Sequence, residues 1–79
     1  MTTDAHMTLI DAPIGTFVRI RQLTSRPEIS TRLRELGFCE NAIVRCVMKG
    51  YGNIICEVYD TRVGLDSGLA RGIHVSVSE

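Results

Sequence analysis

The chain has no excess of charge, no paired-cysteine motif, no hydrophobic run of membrane-spanning length, and no linker, repeat or low-complexity tract. Nine basic and nine acidic residues cancel, so nothing in the overall charge draws the protein toward nucleic acid or an anionic membrane. Cys39, Cys46 and Cys56 are odd in number and lack a C-x-x-C spacing, which argues against a disulfide framework and against a zinc knuckle. The apolar stretches around Ile43 and Ile54 are only a few residues long, too short to cross a bilayer. The N-terminus, Met1-Thr2-Thr3-Asp4-Ala5-His6, lacks the basic and then apolar regions of a secretory signal. A reducing, cytoplasmic location is expected.

Catalytic signatures are missing as well. The sequence contains no G-x-x-x-x-G-K-[ST] phosphate loop, no G-x-G-x-x-G, no H-E-x-x-H and no G-x-S-x-G, so nucleotide, zinc-hydrolase and esterase chemistries have no motif to rest on. His6 and His74 stand far apart in sequence and do not read as a pair. At 79 residues the chain forms one domain whose core supplies a net stability of about 3–5 kcal/mol. A large buried active site does not fit in it. The expectation is a nonenzymatic protein without a cofactor.

What the chain does contain is a dense set of local structural signals. Residues 1–7 read as a frayed, disordered tail and residues 8–79 as the folded domain. After a turn at Pro13-Ile14-Gly15, residues 16–23 alternate with period two, which predicts a strand with Val18 and Ile20 on its core face. Ser25-Arg26-Pro27-Glu28 has the form of a capping box with Ser25 as N-cap and proline in the first turn. Ile29, Leu33 and Leu36 follow at helical spacing, so one stripe is expected to be buried while Thr31, Arg34 and Glu35 face solvent. Gly37 supplies the left-handed position that stops the helix, and Phe38 re-enters the core beyond it.

Two further strands are expected over residues 42–48 and 54–59, joined by the glycine-bearing loop Lys49-Gly50-Tyr51-Gly52-Asn53. A loop centred on Tyr51 sets Val44 opposite Val58, Cys46 opposite Cys56 and Met48 opposite Ile54, with all six on one face. Tyr59-Asp60-Thr61-Arg62 is a tight turn into a short strand that ends at Leu65. Asp66-Ser67-Gly68-Leu69-Ala70 then caps a single helical turn before a last strand over residues 73–77. The fold class is mainly β: a small barrel of about five strands, with one α-helix after the first strand and a short helical turn before the last. Closing the barrel would remove the exposed edges of so small a sheet.

The landmarks Leu9-x-x-Ala12-Pro13-x-Gly15-(x)₄-Ile20, Arg32-Leu33-x-x-Leu36-Gly37-Phe38, Val44, and Leu65-(x)₄-Ala70-x-x-Ile73-x-Val75 occur in order over nearly the whole chain. Together they resemble the ferrous iron transport protein A (FeoA) family. The resemblance implies an SH3-like β-barrel made in the bacterial cytosol. It also implies a partner, the membrane ferrous iron transporter FeoB, which carries a cytosolic G-protein domain. Any contact with the membrane would run through that partner. Asn41 stands where the family usually has glycine, and asparagine also tolerates the left-handed region. Gly50-Tyr51-Gly52-Asn53 stands where the family often has prolines, which implies a more mobile hairpin tip.

The same small barrel resembles the C-terminal module of iron-dependent repressors, which gives an alternative reading as a metal-responsive regulatory domain. That reading requires a complete metal site or a basic stripe. Cys46 and Cys56 are the candidates for holding a soft metal, since facing thiolates suit zinc or iron. Two thiols without further ligands make an incomplete site, and buried cysteine is common core filling. Cys39, just after the helix stop, is expected to be the more exposed thiol. The basic residues Arg19, Arg21, Arg45 and Arg62 alternate with apolar neighbours, as on a solvated barrel wall. For partner binding the candidates are Thr31, Arg34 and Glu35 on the helix, and Lys49, Tyr51 and Arg62 around the hairpin, the latter three with Arg45 lining one side of it. Weak self-association is compatible with the sequence.

Overall fold

The computed structural model describes residues 7–78. Six strands form one antiparallel sheet: β1 (Met7–Thr8), β2 (Phe17–Leu23), β3 (Ile43–Lys49), β4 (Asn53–Val58), β5 (Thr61–Asp66) and β6 (Ile73–Val77). The order across the sheet is β1-β6-β2-β3-β4-β5. Two helices interrupt the strands, α1 (Pro27–Glu35) and the single turn α2 (Ser67–Ala70), and a 3₁₀ turn at Leu9–Asp11 follows β1. The additional strand is β1, in which Met7 pairs with Val75 and Thr8 with His74. Met7, the last residue of the tail expected over residues 1–7, therefore belongs to the fold, while residues 1–6 of that expected tail lie outside the described residues.

Helix α1 begins one residue later than a Ser25 cap would place it. The residue before a proline is pushed out of the helical region, and Arg26 is extended at φ −55° and ψ 153°. Pro27, which needs no N–H partner in the first turn, becomes the first helical residue. No side chain caps this end. Ser25 contributes its carbonyl instead, which accepts a hydrogen bond from Ser30 Oγ at 3.1 Å. The buried stripe is accordingly Ser30 and Leu33, with Ile29 packed beside them. Leu36, expected in the core, lies past the last helical residue and is 42% exposed.

The helix stop follows the sequence closely. Gly37 has φ +106°. Its N–H donates to the Arg34 carbonyl at 3.0 Å, and the Phe38 N–H donates to the Leu33 carbonyl at 2.9 Å. These are the two bonds of a Schellman motif, and they turn the fully buried Phe38 back into the core. Asn41 has φ +74° and donates its N–H to the Ile20 carbonyl at 2.7 Å, so it takes over the role of a glycine at the entry to β3.

Val44 pairs with Val58 and Cys46 with Cys56, as expected, but Met48 faces Ile55 and Lys49 faces Ile54. A bulge between Cys46 and Met48 adds one residue to β3 and shifts the register. Met48 leaves the core as a result and is 56% exposed. Tyr59 and Asp60, at φ +50° and +63°, make a two-residue turn between β4 and β5 of the twist-matched type. Asp66 caps α2 by accepting the Gly68 N–H at 2.8 Å. Val18, Ile20, Leu33, Phe38, Val44, Ile54 and Ile73 are among the fully buried side chains of one continuous core. Among the described residues the ladder ends at β1 and β5 without pairing between them.

Candidate partner-binding surface

Thr31, Arg34 and Glu35 are all exposed on α1. Arg34 grips Glu40 with both forks of its guanidinium: Nε reaches Oε1 at 3.1 Å and Nη2 reaches Oε2 at 2.8 Å. The Arg34 hydrogen bond holds the Glu40 carboxyl down to about 2, and the same bond raises the Arg34 pKa. Because the pair is solvent-exposed, it fixes side-chain geometry at the end of the helix more than it adds stability. Beside it, Gly37 packs closely on the β4–β5 turn, where an added Cβ would stand 3.3 Å from Tyr59 Cδ2 and 3.4 Å from the Val58 methyls. Tyr59 itself is 72% exposed.

Arg34, Leu36 and Tyr59 are thus all exposed around the end of the helix, with Tyr59 beside Gly37 and Arg34 paired with Glu40. The sequence alone does not mark Tyr59 and Leu36 as surface residues. The turn pattern accounts for Tyr59 without indicating that its ring faces solvent beside α1, and the helical spacing places Leu36 in the core. Arginine and tyrosine are the residue types that recur at the centres of protein interfaces.

The hairpin candidates separate into two places. Lys49 and Tyr51 lie at the β3–β4 end, where Lys49 Nζ donates to the Ile10 carbonyl at 3.1 Å and Tyr51 is fully exposed. Arg62 is opposite Glu57, four residues along β4 from Asn53, a separation of about 13 Å at strand spacing. It completes a row across the outer face in which Phe17 pairs with Arg45, Arg45 with Glu57, and Glu57 with Arg62. The Arg45 guanidinium sits 5.0 Å from the Phe17 ring centroid and forms an ion pair with Glu57. Arg45 therefore belongs with Arg62 in this row and not with Lys49 and Tyr51.

Cys46 and Cys56 face each other and are fully buried, whereas Cys39 is half-buried with its thiol 3.5 Å from the Arg34 carbonyl. Burial pushes the Cys56 thiol up to about 12, and the neighbouring Cys46 adds to the effect. A metal requires the thiolate, so this environment favours packing over ligation. No group of three or more His, Cys, Asp or Glu side chains among the described residues could hold a metal ion. In the folded protein, Cys39 is expected to react with a thiol reagent about tenfold or more faster than Cys46 and Cys56. Equally rapid labelling of all three, read by mass spectrometry, would overturn the buried assignment.

The fold is that of a small SH3-like barrel, with a helix inserted after its first long strand and an exposed Arg34–Glu40 ion pair at the end of that helix. The FeoA domain matches residues 7–77, and the chain belongs to the FeoA family. Stenotrophomonas maltophilia FeoA complexed with zinc, described as a prokaryotic SH3 domain protein, superposes with a TM-score of 0.76 at 32% identity, covering 87% of this chain and 88% of that one. Iron(II) transport protein A from Clostridium thermocellum gives 0.83 at 26% identity, covering 90% of this chain and 45% of that one. A manganese-dependent transcriptional repressor gives 0.85 at 18% identity, and this chain spans only 44% of its length. That last likeness is one of fold alone. No curated protein matches the sequence. The protein is thus a small SH3-like member of a family associated with ferrous iron transport. Among the described residues no helix is long and apolar enough to cross a membrane.

Proposed function

We propose that this protein is a cytoplasmic, noncatalytic module of bacterial ferrous iron uptake that docks on the cytosolic part of a FeoB-type transporter and modulates its activity or assembly. The observation that carries the reading is the helix end. Arg34 is held in place by Glu40, and the exposed Tyr59 packs against the glycine that stops the helix. Side chains fixed before binding lose little entropy on docking. The match to the FeoA domain over residues 7–77 supports the choice of partner. Thr31 and Glu35 extend the same helical face, while Lys49 with Tyr51 and Arg62 offer two smaller contacts elsewhere.

Charge reversal tests the assignment without disturbing the core. Arg34→Glu and Tyr59→Ala are each expected to weaken binding to the transporter's cytosolic domain by about tenfold or more, with circular dichroism unchanged. The pair Lys49→Glu with Arg62→Glu is expected to have a smaller effect, because its two positions are separated on the barrel. Parental affinity in both Arg34→Glu and Tyr59→Ala would rule out the helix end as the interface.

A further inference from the structure

Among the described residues the β5 strand is a six-residue sheet edge, and its sequence is complementary to itself. Two independent bonds fix which of its backbone groups face outward. A two-residue turn closes on Val58 and Thr61 as a hydrogen-bonded pair, and at the far end Ser67 N–H donates to the Gly52 carbonyl at 2.9 Å. Both place Thr61, Val63 and Leu65 in hydrogen-bonded positions against β4. The backbone groups of Arg62, Gly64 and Asp66 point away from the sheet, and all three residues are exposed. Edges of this kind are templates for another strand.

We propose that two copies of this chain pair through β5 as a two-fold antiparallel ladder centred on Gly64. In that register Gly64 of each copy exchanges backbone hydrogen bonds with Gly64 of the other, and Asp66 N–H of each donates to the Arg62 carbonyl of the other. Arg62 of each copy then stands opposite Asp66 of the other, so the symmetry places an ion pair on both sides of the axis. On the inner face, the half-buried Val63 of one copy stands opposite Leu65 of the other, which is already buried in its own core, so the pairing rests on the backbone ladder and the outer charges. Gly64 leaves the centre open, since a Cβ there meets nothing within 4 Å. Charged side chains on an edge discourage pairing unless the partner strand matches them. This one carries opposite charges at positions that the symmetry brings together, which selects a second copy over an arbitrary extended segment.

Sedimentation equilibrium on the full chain tests the pairing without any transporter present. The parent is expected to self-associate to a dimer at protein concentrations up to about 1 mM, and more weakly as salt screens the Arg62–Asp66 pairs. Gly64→Glu puts two carboxylates at the axis while fitting the single copy, and Arg62→Glu faces an acid with an acid. Each is expected to weaken the dimer at least tenfold, with the melting transition of the single copy retained. Hydrogen exchange at the Gly64 and Asp66 amides is expected to slow as the parent is concentrated. A parent that stays monomeric throughout, or a dimer untouched by Gly64→Glu, would overturn the proposal.

Discussion

Phe38→Ala is expected to leave the chain largely unfolded. Truncating a buried phenylalanine costs about 3–5 kcal/mol through lost burial and the cavity that remains. That loss is as large as the whole net stability a core of this size supplies, about 3–5 kcal/mol. Phe38 is fully buried and is held where the helix stop redirects the chain, so the site has little freedom to collapse around the gap. Phe38→Leu retains most of the volume and is expected to fold. Circular dichroism and a denaturant titration distinguish the two, and a cooperative transition in Phe38→Ala near that of the parent would contradict the packing described.

Gly37→Val is expected to show the second-largest effect. A residue with a Cβ pays about 1–2 kcal/mol in the left-handed region, and Gly37 holds φ +106°. Its surroundings add to that, because the new Cβ would press on Tyr59 and Val58 at 3.3 and 3.4 Å. At about 4–8 °C per kcal/mol for a domain of this length, the melting temperature should fall by roughly 4–16 °C from the backbone term alone. Gly15 offers a control. It also has positive φ, at +87°, but open space around its Cβ direction. Gly37→Ala should therefore destabilise more than Gly15→Ala, and equal losses would mean that the contact with the β4–β5 turn contributes nothing.

Features encoded in a few adjacent residues are legible in the sequence itself. The Leu33-to-Phe38 helix stop, the Tyr59-Asp60 turn, the Asp66 cap and the core face of β2 each follow from a local residue choice with one physical meaning. Features that depend on distant partners are not. Strand β1 is two residues long and exists only because β6 lies beside it, so it leaves no periodic trace. The bulge before Met48 is a single-residue shift that alternation does not reveal. The cap moves from Ser25 to Arg26 because the constraint that Pro27 places on its predecessor outweighs the serine side-chain signal. Of the binding candidates, the exposure of Thr31, Arg34 and Glu35 follows from helical spacing. The grip of Arg34 on Glu40 and the placement of Tyr59 beside Gly37 require the tertiary fold. Arg62 and Lys49 both flank β4 in sequence, which groups them on paper, yet they lie toward opposite ends of that strand.

Binding of the parent protein to the isolated cytosolic domain of a FeoB-type transporter, titrated by calorimetry in parallel with Arg34→Glu, tests the central claim most directly. Saturable one-site binding by the parent is expected, with a loss of about tenfold or more in the folded variant. An absence of binding by the parent, or identical isotherms for parent and variant, would contradict the assignment of the helix end as a transporter-docking surface.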